Sequence, residues 1–193
     1  FDALVLATPP HITRAWLPQL MADLLPQEAT SSVAVALAFA PEQATRLRIP
    51  RGFGFVVPSG EKQEHSLQAC TFVDQKFPGR VPPGGVLLRA FFGGCSGEAL
   101  QGEADDTIIE RTRQQLGRVL GPLPPSVETV VRRWPQSLPQ YTVGHLERMA
   151  ELDERRRALP GLHLVGNAYY GVGLPDLIRQ GRATAQAVQH VAI

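Results

Sequence analysis

From Val33 to Phe39 the chain reads VAVALAF, bulky and small residues in alternation, which is the period of a strand. Three more apolar runs follow at 53–57 (FGFVV), 67–73 (LQACTFV) and 86–92 (VLLRAFF). Loops rich in proline, glycine and serine separate them, so the pattern predicts hairpin-like antiparallel neighbours. The period then changes. Over residues 104–120 the apolar positions Ile108, Leu116 and Val119/Leu120, with Thr112 as a weak member, form a helical stripe that Gly121-Pro122 stops. A strand at 127–134 (VETVVRRW) completes a sheet with one helix against it.

The outer segments have a different grammar. Residues 3–7 read as a short buried strand closed by Thr8-Pro9-Pro10. Thr8 is placed to cap a helix with Pro9 at its first position, a site that suits the missing proline N–H, and that helix is expected to run to about Leu25. After Pro135 come a polar helix at 143–158, a short strand at 162–165 (LHLV) and a helix at 174–191. Strand, glycine loop, helix is the local order of a nucleotide-binding α/β layer. The chain is thus expected to begin in one layer, build a sheet elsewhere and return, with 1–30 and 135–193 belonging together and 31–134 forming the sheet part. The first residue is Phe1, inside an apolar run, and the expectation is a piece of a longer chain.

Composition narrows this only in places. A chain of 193 residues forms one compact domain or parts of two, and 44% hydrophobic residues can support a real core. A net charge of +1 gives no general reason to expect a nucleic-acid partner. The one arginine run, Arg155-Arg156-Arg157, follows Glu151, Asp153 and Glu154 and reads as a solvated helix end. No apolar stretch approaches the roughly 20 residues that span a bilayer. Cys70 and Cys95 lack metal-motif spacing, and each is expected as a buried free thiol.

The candidate chemistry lies in residues 164–181, LVGNAYYGVGLPDLIRQG. Gly166, Gly171 and Gly173 allow close backbone approach or positive φ, and a helix opening at Leu174-Pro175 presents unpaired N–H groups and a positive dipole end. A phosphate loop, a loop for a ring system and a plain tight turn are all compatible with this. The dinucleotide fingerprint is absent, so this is not a first βα turn.

These residues carry a resemblance. GNAYYGVGLPD resembles the C-terminal signature of the protoporphyrinogen oxidases, flavoenzymes related to the flavin amine oxidases. RGFGFVVPSGE (51–61), KFPGRVPPGGVLLRAFFGG (76–94), WPQSLPQYTVGH (134–145) and LVLATPPH (4–11) are similar to further segments of that family, in the same order.

The resemblance implies an α+β fold: a mixed or antiparallel substrate-domain sheet with a packed helix, plus C-terminal segments of an α/β FAD-binding domain. It implies FAD as cofactor, contacted by Trp134, Gly166, Asn167, Val172, Gly173 and Leu174. Val56, Thr71 and Phe91 match positions lining a tetrapyrrole cavity, with Arg89 on the same strand face as Phe91 and suited to a propionate. Thr71 stands where better-known members carry leucine. The implied reaction is oxidation of protoporphyrinogen IX by hydride transfer to flavin and then to oxygen, with no catalytic side chain and no metal. Coproporphyrinogen III oxidation, amine oxidation and non-catalytic tetrapyrrole binding remain the alternatives. The expected partners are the porphyrinogen, molecular oxygen and an N-terminal remainder of the same chain. Cytoplasmic location, peripheral membrane association and a homodimer are compatible with the resemblance, while the fragment by itself is expected to be inactive. His145 is expected to make a structural hydrogen bond rather than act as a base.

Overall fold

The computed structural model describes residues 1–58 and 66–191, so Ser59, Gly60 and Glu61 of the 51–61 motif lie outside the described residues. In chain order the elements are β1 (Leu4–Leu6), α1 (Pro10–Arg14), α2 (Gln19–Ala22), β2 (Ala29–Phe39), α3 (Pro41–Ala44) and β3 (Gly54–Val56). They continue with β4 (Ala69–Phe72), α4 (Val73–Lys76), β5 (Val86–Gly93), α5 (Gly94–Ala99) and α6 (Asp105–Leu120). The last four are β6 (Glu128–Pro139), α7 (His145–Arg156), β7 (Leu162–Leu164) and α8 (Leu174–Val191). The α+β class expected from the sequence is the one that forms.

Two compact units divide the chain: Phe1–Ala29 with Gln136–Ile193, and Thr30–Pro135. The second unit is a sheet in the order β3-β4-β5-β2-β6. β2 pairs antiparallel with β5, β5 with β4 and β4 with β3. Alternation along β2 sends Val33, Val35, Leu37 and Phe39 to one face, and each is at most 2% exposed. Leu88, Ala90 and Phe92 of β5 join them, as do Cys70 and Phe72 of β4. α6 covers this face with Ile108, Leu116 and Leu120. Thr112, in the same stripe, is buried and returns its hydroxyl to the Ile108 carbonyl at 2.7 Å. Val119 is 56% exposed, so Leu120 is the residue that ends the stripe.

The first unit holds a two-stranded parallel sheet, β1 beside β7, with Leu4 opposite Leu162 and Leu6 opposite Leu164. Its core joins Leu6, Met21, Leu25, Met149, Leu152 and Tyr169. β1 was expected to be buried, yet Leu4 is 56% and Val5 45% exposed. Two strands offer too little surface to shield both faces, which parallel sheets normally require. The helix expected up to Leu25 is also corrected. It breaks into α1 and α2 because Pro18 cannot donate to the helical ladder. Pro9 is the N-cap residue and Pro10 the first helical one, while the Thr8 hydroxyl pairs with that of Thr13 at 2.8 Å instead of capping an amide.

Smaller departures have equally local reasons. β6 runs on to Pro139, beyond the expected end at Trp134. Cys70 is buried as expected, and burial pushes its thiol up to about 12, but Cys95 at the start of α5 is exposed. The arginine run does end a helix, with Arg155 paired to Glu151, Arg156 to Asp153 and Arg157 to Glu154. No described helix is long and apolar enough to cross a membrane.

Candidate functional site

The residues singled out for substrate converge through strand register. On β3, β4 and β5, Val56 faces Ala69 and Ala69 faces Phe91, while Gly54 faces Thr71 and Thr71 faces Arg89. Side chains of facing residues share one side of a sheet, so Val56, Thr71, Arg89 and Phe91 lie together on the side away from α6. β2 extends this side with Ala34 opposite Phe91 and Ala36 opposite Arg89. The result is a partly exposed surface with a low alanine floor, bordered by Phe91 and by Val56, which is 75% exposed on the edge strand. The Arg89 guanidinium lies 5.2 Å from the centre of the Phe91 ring, a cation–π contact that keeps the charge over the apolar surface.

β3 and β4 approach each other closely at Gly54. Gly54 has φ of +138°, and a Cβ there would strike the Cys70 carbonyl oxygen and lie 2.9 Å from the Thr71 Cα. Glycine at that position is therefore demanded by backbone contact between β3 and β4.

The residues singled out for flavin fall into two places. Trp134 is on β6 in the sheet unit and is 56% exposed. The other five lie in the first unit, on the loop between β7 and α8 and at the start of α8. Gly166 has φ of +143°, and its N–H donates to Gln180 Oε1 at 3.3 Å. Asn167 is tied into its own unit, its side-chain NH2 donating to the Ser137 carbonyl at 2.8 Å. Val172 and Leu174 are 57% and 74% exposed beside the start of α8. Leu177 closes the first turn by donating to the Gly173 carbonyl at 3.0 Å.

An internal cause emerges for one of the glycines. Gly171 has φ of +117°, and a Cβ there would lie 2.5 Å from Asp176 Oδ2. Asp176 sits in the first turn of α8 and pairs with Arg179, so the loop folds over a carboxylate of its own helix. The glycine therefore has a structural reason whether or not a ligand approaches. A flavin still fits the residues present. An 18-residue helix begins there with exposed Val172 and Leu174 at its mouth, and helix N-termini favour negative charge. An apolar rim around a positive end suits a flat ring that becomes anionic on reduction.

Two residues of the 134–145 motif hold this loop. The Tyr141 hydroxyl donates to the Asn167 carbonyl at 2.7 Å and accepts from the Gly171 N–H at 3.1 Å. The Tyr141 ring stacks on His145 with centroids 3.7 Å apart and planes 11° from parallel. His145 is 5% exposed, and its Nε2 lies 2.7 Å from the Tyr169 carbonyl. A carbonyl only accepts, so Nε2 carries the proton and the buried Nδ1 has no partner. A histidine fixed in this way is a structural tie, as expected from the sequence. Tyr141 had not been singled out there, although its place before a glycine-capped helix was a visible cue. The alanines of β2 were likewise legible in the alternation but not assigned to the surface they floor.

The sequence profile described as flavin containing amine oxidoreductase matches residues 1–189, and the chain belongs to that family. FAD is the cofactor that goes with it. The chain is 35% identical over 185 residues to the coproporphyrinogen III oxidase of Bacillus subtilis (strain 168), covering 94% of this chain and 38% of that protein. It is 32% identical over 197 residues to the coproporphyrinogen III oxidase of Propionibacterium freudenreichii, covering 100% of this chain and 36% of that one. The structure of a candidate protoporphyrinogen oxidase from Exiguobacterium sp. 255-15 superimposes with a TM-score of 0.80 at 31% identity, over 97% of this chain and 41% of that one. The chain therefore spans about two fifths of the length of these two curated relatives.

Proposed function

We propose that this chain supplies the substrate-facing sheet and part of the flavin-facing surface of an FAD-dependent porphyrinogen oxidase. The observation that carries the reading is the open side of the sheet. There the register gathers Val56, Phe91, Thr71 and Arg89 beside small alanines, a surface suited to a broad, flat, apolar ring with acidic substituents. The motif order and the names of the relatives point to the same substrate class. In this reading residues 30–135 serve as the substrate domain, and 1–29 with 136–193 as part of the FAD domain.

Bound FAD supplies a two-electron acceptor for hydride leaving a methylene bridge of the porphyrinogen, with molecular oxygen as the final acceptor. The chain's own part is binding and orientation. Phe91 and Val56 take the macrocycle face, and the alanines let it lie close to the backbone. Arg89 pairs a propionate carboxylate. The start of α8 presents its N–H groups where negative charge grows during the reaction. Protons lost from the ring nitrogens pass to water, so no side-chain base is required.

Protoporphyrinogen IX and coproporphyrinogen III both belong to this class. The coproporphyrinogen III oxidases quoted above favour the second as the substrate tried first, and its additional carboxylates give Arg89 more to pair with. The reading carries action in the cytoplasm or at the cytoplasmic face of a membrane. The full-length protein is expected to purify yellow and to turn over one porphyrinogen faster than the other, read by porphyrin fluorescence and oxygen uptake. A protein that stays colourless with added FAD sinks the proposal. Porphyrin binding without flavin reduction would instead mark a non-catalytic tetrapyrrole carrier.

A further inference from the structure

The glycine loop is held at points along its length by the segment that leads into α7 and by the first residue of that helix. Ser137 accepts from the Asn167 side chain, His145 donates to the Tyr169 carbonyl, and Tyr141 ties the Asn167 carbonyl to the Gly171 N–H. Tyr141 differs from the other two because one hydroxyl bridges two loop positions four residues apart. Gly171 stands one residue before exposed Val172 and three before Leu174, where α8 begins. A bond to its N–H therefore sets how the chain turns into the helix mouth.

The bridge has the right chemistry. Burial and then the nearby Asp176 carboxylate push the Tyr141 phenol above its ordinary value, the Gly171 bond opposing them, so at neutral pH the group is protonated and both donates and accepts. The ring is held by its stack on His145, which is anchored to the same loop through Tyr169. Cofactor contacts need backbone held in a fixed position, and two bonds from one packed side chain serve that need.

We propose that Tyr141 is a positioning residue for the flavin-facing loop, setting the backbone at 171–174 against the cofactor without touching it. The inference rests on the FAD reading above. Tyr141→Phe keeps the ring and its stack while removing both bonds of the hydroxyl, and Tyr141→His restores a polar, flat side chain.

The test uses the full-length protein, stripped of flavin and titrated with FAD. Y141F is expected to bind FAD about tenfold more weakly, the size of one to two lost hydrogen bonds. Once saturated, its visible flavin absorption band should shift and its flavin reduction potential should move from the wild-type value, with Y141H returning part of the way. The KM for porphyrinogen should stay near wild type while kcat falls, because the substrate surface lies on β3, β4 and β5, away from Tyr141 in sequence and element. A Y141F protein with wild-type FAD affinity, spectrum and potential would overturn the proposal. So would a variant that only loses thermal stability while its saturated flavin spectrum and potential are unchanged. Failure of the wild-type protein itself to take up FAD overturns the flavin reading, and this inference with it.

Discussion

In the sheet unit, Val33, Val35, Leu37, Leu88 and Phe92 are all fully buried, and one side of the sheet is sealed by α6. In the other unit, β1 leaves Leu4 and Val5 near half exposed. There an apolar cleft of about 670 Å³ is bounded by residues that include Leu4, Leu6, Trp16, Leu17 and Leu159. The two regions differ in how many strands they contain. Five strands and a long helix make a complete two-layer core. Two strands with the helices around them make a partial one, leaving β1 half exposed, and its glycine loop is held by hydrogen bonds from Ser137, Tyr141 and His145. The lesson concerns where function is stored. The sheet holds side chains in position by packing, while the glycine loop holds backbone in position by ties such as Tyr141 and His145.

That contrast can be broken first at its strongest point. Phe92→Ala should cost about 3–5 kcal/mol in urea unfolding, because it opens a cavity in a close-packed core. Trp16→Ala, removing a larger ring that is 61% exposed, should cost less than about 1 kcal/mol. Equal losses would show that the first unit is packed as tightly as the second. Next in size is Gly171→Ala, which meets Asp176 and a φ that a side chain disfavours. It should lower stability by about 2 kcal/mol and weaken FAD binding, with Asp176→Gly in the same molecule restoring part of both.

Arg89→Met probes the sheet as a binding surface. It should raise the KM for coproporphyrinogen III about tenfold, as loss of one exposed charge-assisted bond allows, and leave the flavin spectrum unaltered. A shifted spectrum with unchanged KM would move Arg89 away from the substrate.

The smallest effect belongs to Cys70. Its folded thiol holds its proton up to about 12 against an ordinary 9.0, so between those values the unfolded chain loses the proton first. Stability should be flat at neutral pH and fall as pH rises above 9, by less than about 1 kcal/mol at pH 9.5. Cys70→Ala should lack that fall relative to the parent. In the native parent a thiol reagent should label exposed Cys95 and spare Cys70.

Much of this was legible from residue order. The period of VAVALAF gave β2 and its buried side, and Gly121-Pro122 gave the end of α6. Residues 164–181 were readable as a strand, a glycine turn and a helix. Pro18 marks the break between α1 and α2 as well, eight residues after the stronger helix-start cue of Pro9-Pro10. The exposure of β1 was not legible, since a short apolar strand looks the same whether its sheet has two strands or six. Cys95 misled for a similar reason: its neighbours Phe91 and Phe92 are strand residues, but the chain has already turned into α5.

Sequence by itself determined which residues alternate, where helices stop and which motifs place the chain in its family, because these depend on neighbours along the backbone. Tertiary structure decided which strands become partners, and so that Val56, Thr71, Arg89 and Phe91 share one side of a sheet. It also decided that the Tyr141 hydroxyl meets a loop some 30 residues further along the chain. Such meetings depend on hydrogen-bond register and chain return, which local periodicity does not encode.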